Sequence, residues 1–300
     1  MKRFLLWLLA VIATVFCVDL LVEIFFSSYI KKHTLPGDYE SIEKVLRHND
    51  SDLLILGSSV SLNSVDTKAL EDSLGLKAFN GGGNGQTFPF FLTMLKAAIT
   101  NHTPKKIILC MQPSALVTNG LGNRYNLLVP YYGLNIADID ENMIQEKKIN
   151  KWLLNSSLYK LNTIWFRILL YHFITPDVRG ENGHVAKPIP PYFPEKNEGK
   201  VGVISPKRLK ELNSFMEICK ENDIDLTILF TPLYTNFEDI NTEGNVIKET
   251  MELAKKYNFS VYNDIELEPF ASNPELFYDN AHININGTKI YTDTLLKRLK

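Results

Sequence analysis

The stretch that decides the fold is Asp52-Leu53-Leu54-Ile55-Leu56-Gly57-Ser58-Ser59-Val60. Its apolar part, Leu53 to Leu56, is too short and too continuous for an amphipathic helix, so it predicts a buried strand of a parallel sheet. Gly57 ends the strand with a residue that can turn sharply. The serines follow the carboxyl end of the strand, where open α/β sheets bind ligands. A hydroxyl presented there is a candidate nucleophile, provided that a base activates it.

A candidate base lies near the other end of the chain, in Phe277-Tyr278-Asp279-Asn280-Ala281-His282. Asp279 and His282 are three residues apart, in a loop before a predicted closing helix. An imidazole can take the proton of a serine hydroxyl while a carboxylate holds the ring in the correct tautomer. The alternative is structural: the serines cap the helix that follows them, and Asp279 caps the terminal helix.

Three blocks of sequence, in the same order, resemble those of the SGNH/GDSL hydrolase family. The matching residues are Gly57-Ser58-Ser59 for its Gly-Asp-Ser, Asn80, Gly82 and Gly85 for its Asn-x-Gly-x-x-Gly, and Asp279 and His282 for its Asp-x-x-His. The resemblance covers the chain from about Leu53 to the C-terminus, with Ser58 in place of the family's Asp. It implies that Ser59 is the nucleophile, His282 the general base, and Asp279 the carboxylate that orients the base.

The resemblance also implies hydrogen-bond donors for the oxyanion that forms during acyl transfer. The expected donors are the backbone N–H groups of Ser59 and Gly82. The family's third block, Gly-x-Asn-Asp after the third strand, is not matched, and Gln112 is the expected substitute because its side chain is also an amide. Asn84, in the glycine cluster, and His184, in a glycine-flanked loop, are the candidate substrate-binding residues. For His184 the alternative is an ordinary solvated loop histidine.

Strand-like and helix-like patterns alternate along the chain, which predicts an α/β fold with a parallel five-stranded sheet and helices on both faces. The resemblance implies the flavodoxin-like, three-layer form of the SGNH fold. The predicted strands begin at Leu53, Ala78, Lys106, Ile224 and Ser260, and the predicted helices cover 66–74, 88–100, 206–222 and 245–257.

Residues 113–205 interrupt this alternation and are too numerous for an ordinary connection. A helix is predicted over Trp152–Phe173. Long insertions on the ligand side of a sheet often carry specificity, so this region is interpreted as a substrate-selecting cap.

The N-terminus is apolar from Phe4 to Phe26, directly after Lys2 and Arg3. This run is long enough to span a bilayer, and it lacks the small residues that end a cleavable signal peptide. We therefore expect a retained transmembrane anchor over 1–30, a connector over 31–50, and a hydrolase domain over 51–300. The two basic residues favour a cytoplasmic N-terminus, which places the domain in the periplasm or at the cell surface.

Two carboxylates, Asp19 and Glu23, lie one turn apart in the second half of the apolar run. Carboxylates at membrane depth are unfavourable unless they meet a partner. Two interpretations remain open: the pair lies near the outer interface, or it contacts another membrane protein.

The formal net charge of −2 does not indicate nucleic-acid binding, and three cysteines do not form a disulfide framework. No cluster at ligand spacing predicts a metal site, and no cofactor is expected. The layout resembles that of membrane-anchored proteins of exopolysaccharide O-acetylation and teichoic acid D-alanyl transfer. It implies a serine acyl-esterase or acyltransferase for cell-surface glycan, with a multispanning membrane acyltransferase as partner. The alternative is a non-catalytic scaffold that binds glycan or docks such an acyltransferase.

Overall fold

The computed structural model describes residues 1–32, 38–117, 122–162, 164, 182–198, 203–236 and 240–299. The α-helices of this part of the chain are α1 (Lys2–Lys32), α2 (Asp38–His48), α3 (Ser59–Ser64), α4 (Thr67–Leu74), α5 (Phe88–Asn101), α6 (Ile139–Gln145), α7 (Lys151–Leu154), α8 (Ser157–Lys160), α9 (Pro206–Glu221), α10 (Ile240–Tyr257) and α11 (Ile285–Leu299). Short 3₁₀ helices cover Pro113–Leu116, Asn123–Tyr131 and Pro274–Leu276.

Five parallel strands form the main sheet, as the sequence predicts. They are β1 (Leu53–Gly57), β2 (Ala78–Asn80), β3 (Lys106–Met111), β4 (Asp225–Phe230) and β5 (Ser260–Asn263), in the order β2-β1-β3-β4-β5. Because β1 pairs with β2 on one side and β3 on the other, the order of the strands reverses between β1 and β3. The carboxyl ends at such a reversal form the crevice in which doubly wound sheets bind ligands.

The centre of the sheet is buried on both faces. Every residue of β1 is buried, and so are the residues of β3 after Lys106. Leu53 and Ile55 belong to one apolar cluster, which includes Val60 and Tyr291. The intervening residues Leu54 and Leu56 point to the opposite face and are equally buried, which is the pattern of a sheet covered by helices on both sides.

Two compact units divide the chain. The first contains Met1–Glu43 and Asn126–Asp177, and the second contains Lys44–Tyr125 and Val178–Lys300. The first unit joins the N-terminal helix with residues 126–177 of the region predicted as a cap, and the ends of that region belong to the second unit. The cap over 113–205 and the other predicted domain bounds stay predictions.

The continuous helix predicted over Trp152–Phe173 is wrong for its described part. The structure has two short helices there, α7 and α8, separated by Asn155 and Ser156. The Asn150 side chain accepts a hydrogen bond from the Trp152 N–H, and the Ser156 hydroxyl accepts one from the Tyr159 N–H, so each helix begins at its own side-chain cap. Residue 163 and residues 165–173 lie outside the described residues.

Helix α1 contains the predicted apolar run. Its portion Lys2–Phe26 is long and apolar enough to cross a membrane, as judged by length and composition. The predicted connector over 31–50 is largely helical: α1 extends to Lys32, and α2 buries Ile42, Val45 and Leu46.

Candidate active site

The first residue of α3, Ser59, lies directly after the carboxyl end of β1. Gly57 joins the strand to the helix with a φ of +144°. A Cβ at this position would lie 2.1 Å from the Cys110 carbonyl oxygen of β3, so a side chain would strain the turn and push the strands apart. The turn leaves the Ser59 side chain half-buried at the sheet edge.

A chain of hydrogen bonds connects Ser59 with the two residues predicted to activate it. The distance from Ser59 Oγ to His282 Nε2 is 2.7 Å. On the other side of the ring, His282 Nδ1 lies 2.8 and 2.9 Å from the two carboxylate oxygens of Asp279. The structure therefore brings together residues that are 223 positions apart in the sequence, in the order hydroxyl, imidazole, carboxylate.

The environment of Asp279 favours its ionised form. Partial burial alone would raise the pKa of Asp279. The hydrogen bond with His282, together with those from the Ala281 and His282 N–H groups, outweighs burial and holds the pKa below its ordinary value. A negatively charged Asp279 accepts a hydrogen bond from Nδ1–H, which leaves the lone pair of Nε2 facing the serine hydroxyl.

The loop that carries Asp279 and His282 is fixed at its base by Asn284. This fully buried amide donates hydrogen bonds to the carbonyl groups of Glu275 and Phe277, at 2.8 and 3.1 Å. Its side-chain oxygen accepts from the N–H groups of Asn286 and Gly287 at the start of α11. Sequence reasoning missed this residue, although an Asn immediately before a predicted helix is a recognised capping signal.

A second amide, Asn280, holds the tip of the same loop. Its Nδ2 donates to the carbonyl groups of Tyr234, which follows β4, and of Glu195. Its own carbonyl accepts from the Tyr234 N–H at 2.9 Å. Further along the chain, Lys187 O accepts from the Ile285 N–H, so the segment 187–195 is attached to the loop at both ends.

The glycine cluster after β2 is the second block of the predicted family pattern, and the Asn80 side chain holds it in place through two hydrogen bonds. The Asn80 Nδ2 donates to Ser61 O at 2.8 Å, and Asn80 Oδ1 accepts from the Gly82 N–H at 3.0 Å. A Cβ at Gly82 would lie 1.9 Å from Ser61 Oγ. Position 82 therefore requires a glycine, because its backbone lies too close to α3 for any side chain. In this structure the Gly82 N–H donates to Asn80, and its role as an oxyanion donor stays a prediction.

Three further candidate donors lie in the segments that follow β1, β2 and β3. The N–H of Ser59 belongs to the first turn of α3 and has no acceptor among the described residues. The same is true of the N–H of Gly85, the second glycine of the block, which lies exposed in the turn. Gln112 directly follows β3 and is partly exposed; its side chain makes no capping hydrogen bond to the 3₁₀ helix that it precedes.

The two predicted substrate-binding residues differ in their surroundings. Asn84 is exposed in the glycine turn. His184 is half-buried, so it is not an ordinary solvated loop histidine. Burial lowers the pKa of His184, against the opposing effects of Asp66 and of a hydrogen bond with the Asn63 backbone. A role in substrate binding stays a prediction for both residues.

No group of three or more His, Cys, Asp or Glu residues is placed to hold a metal ion within the described ranges. The thiols of Cys110 and Cys219 are buried, and burial raises their pKa well above the ordinary value. Neither thiol is therefore a candidate nucleophile.

No protein-family model and no curated protein matches the sequence. Among solved structures, the chain is similar to a lipase/acylhydrolase from Enterococcus faecalis, with 11% identity and a TM-score of 0.43 over 82% of this chain and 94% of that chain. It is also similar to a GDSL-like lipase from Bacteroides thetaiotaomicron, with 12% identity and a TM-score of 0.41 over 93% and 98% of the two chains.

A third similar structure is the psychrotrophic esterase EstA from Pseudoalteromonas sp., with 11% identity and a TM-score of 0.43 over 82% of this chain and 95% of that chain. At this level of similarity, the argument for an activity depends on the geometry of the chain's own residues.

Proposed function

We propose that this protein is a serine acyl-esterase or acyltransferase in which Ser59 is the nucleophile, His282 the general base and Asp279 the carboxylate that orients the base. The observation that carries the proposal is the continuous hydrogen-bond chain from Ser59 Oγ through His282 to Asp279. The position at the carboxyl edge of a parallel sheet is also where such folds bind ligands.

The reaction follows from these contacts. Ser59 Oγ attacks the carbonyl carbon of an ester as His282 Nε2 takes the hydroxyl proton, and ionised Asp279 stabilises the resulting imidazolium. The Ser59 N–H is available to the oxyanion, and Gly85 and Gln112 are the further candidate donors. The tetrahedral intermediate breaks the bond to the alcohol, which leaves with the proton from Nε2. Water or a sugar hydroxyl then attacks the acyl-enzyme, and Ser59 regains its proton.

The proposal includes attachment to a membrane. Helix α1 crosses the bilayer with Lys2 and Arg3 on the cytoplasmic side, so that the remaining chain faces outward. The substrate class is an acylated glycan or other polymer of the cell surface. Because no acyl donor of the cytoplasm reaches an outward-facing site, a multispanning membrane acyltransferase is the proposed partner for transfer.

The first prediction tests the nucleophile. Full-length protein in detergent should react covalently with a fluorophosphonate probe and hydrolyse p-nitrophenyl acetate. Ser59→Ala should abolish labelling and lower hydrolysis by about 10³-fold or more. Ser58→Ala is the matched control: the Ser58 side chain makes no capping bond to α3, so the variant should keep both activities.

Circular dichroism of both variants verifies that the fold is retained. Equal hydrolysis by the Ser59→Ala and unmodified proteins would remove Ser59 from the proposal. If the folded, unmodified protein neither labels nor hydrolyses any small ester, the non-catalytic scaffold becomes the better explanation.

A further inference from the structure

The two carboxylates of α1 have partners in the same compact unit. Asp19 Oδ1 accepts hydrogen bonds from Ser156 Oγ and from the Leu158 N–H, both at 2.8 Å. Glu23 accepts one from the Ser157 hydroxyl and lies 3.5 Å from Lys160 Nζ. Because residues four apart lie on one face of a helix, Asp19 and Glu23 form an acidic face of α1. This acidic face binds the start of α8.

The position of Asp19 along α1 determines where this contact lies in a membrane. From Phe4 to Val18 there are about 15 residues, which a helix spans in about 22 Å, whereas the hydrocarbon core is about 30 Å thick. The apolar side chains Leu20, Leu21, Ile24 and Phe25 are all exposed. The crossing is therefore completed near Glu23, and α8 meets α1 along the last turn before the outer boundary of the hydrocarbon.

This depth also explains how the carboxylates are tolerated. An isolated carboxylate near the hydrocarbon would be strongly unfavourable. Two hydroxyl groups, one backbone N–H and one lysine ammonium surround the acidic face instead. The contact thus has a reason to persist in lipid, where water does not compete for these groups.

Helix α7 lies immediately before α8 and exposes two large apolar side chains. Trp152 is 83% exposed and Leu153 is 48% exposed. Tryptophan is enriched at the boundary between lipid and water, because its ring is apolar and its N–H is a donor. Lys151, beside Trp152, can keep its ammonium group among the lipid head groups while its stem follows the apolar surface.

We infer that Trp152 and Leu153 insert into the outer interface of the bilayer that α1 crosses, held there by the contact of Asp19 and Glu23 with Ser156–Lys160. The inference rests on the membrane attachment in the proposed function. The occupant of this apolar surface is lipid because the surface continues directly from a contact on the membrane-spanning helix. The unit is then attached to the membrane at two places, α1 and α7.

Depth-dependent quenching of tryptophan fluorescence tests this inference. Full-length protein with Trp152 as its only tryptophan (Trp7→Phe and Trp165→Phe) is reconstituted in phosphatidylcholine vesicles that carry bromine either near the head group or deep in the acyl chains. Trp152 should be quenched severalfold more by the shallow bromine than by the deep one. A matched protein with only Trp7 reports whether α1 itself has inserted.

Trp152 and Trp7 together distinguish a failure of this inference from a failure of the proposed membrane attachment. An unquenched Trp152 beside a quenched Trp7 would overturn the inference while the anchor stands, and would assign the exposed surface to a protein partner. If neither tryptophan is quenched, membrane attachment fails and the inference fails with it.

Two pairs of substitutions test whether the acidic face of α1 holds α7 at the interface. Asp19→Leu with Glu23→Leu removes the acceptors, and Ser156→Ala with Ser157→Ala removes two donors from the other side. Either pair should lower the quenching of Trp152 at least twofold and leave that of Trp7 unchanged. Unchanged quenching of Trp152 in both proteins would show that the acidic face does not hold α7 at the interface.

Discussion

Among single residues, the proposed chemistry depends most on Asp279, because its carboxylate carries a negative charge. Asp279→Asn keeps the shape of the side chain but removes the charge that stabilises a protonated His282. We expect ester hydrolysis to fall by about 10²–10⁴-fold, because the imidazole loses both its orientation and its counter-charge. Steady-state kinetics should show the loss in kcat, and a loss confined to KM would contradict it.

The same residue links protonation to stability. The pKa of Asp279 is lower in the folded protein than its ordinary value of 3.8. Ionised Asp279 therefore stabilises the fold fully above pH 3.8, and this stabilisation is lost as the pH falls through the folded pKa. The difference in stability between the unmodified and Asp279→Asn proteins should therefore be constant near neutral pH and shrink below about pH 4. Chemical denaturation in detergent at several pH values measures it. A difference that grows with acidity would reverse this assignment.

At the scale of elements, the loop between Pro274 and α11 depends on Asn284. Asn284→Ala removes two donated and two accepted hydrogen bonds in a buried place, so the free energy of unfolding should fall by about 2–4 kcal/mol. Activity should fall too, because the loop carries Asp279 and His282. Asn286→Ala, at an exposed position of α11, is the matched control and should change neither quantity appreciably.

The elements also show what a sequence can predict. The strand predicted at Leu53–Leu56 is observed at Leu53–Gly57, and β3 begins at its predicted residue, Lys106, because short apolar runs mark buried strands strongly. Ser59, Asp279 and His282 could be named as candidates because each lies in a short block of sequence that resembles a block of the SGNH/GDSL hydrolases. The break between α7 and α8 could not be foreseen, since Ser156 is held by Asp19, 137 residues earlier. The hydrogen bond from Asn80 Nδ2 to Ser61 O likewise depends on how α3 packs, which the spacing of the motif does not reveal.

At the scale of the whole molecule, the C-terminal helix is joined to the sheet by an ion pair whose carboxylate is buried. Asp264, which follows β5, is 1% exposed and accepts hydrogen bonds from Arg298 at 2.6 and 2.9 Å and from the Tyr291 hydroxyl at 2.9 Å. Arg298→Ala leaves the carboxylate buried without its cation and should destabilise the protein by about 3 kcal/mol. Thermal unfolding measures this loss. Lys297→Ala, one residue earlier and exposed, should be neutral.

The separation of 223 residues between Ser59 and His282 has a consequence for synthesis. A growing chain carries Ser59 long before Asp279 and His282 have been made. Long-range pairing of this kind is also the slow part of folding. In the proposed mechanism, a chain that has not yet reached His282 holds the Ser59 hydroxyl without the group that activates it, so the site forms only after all five strands of the main sheet have been synthesised.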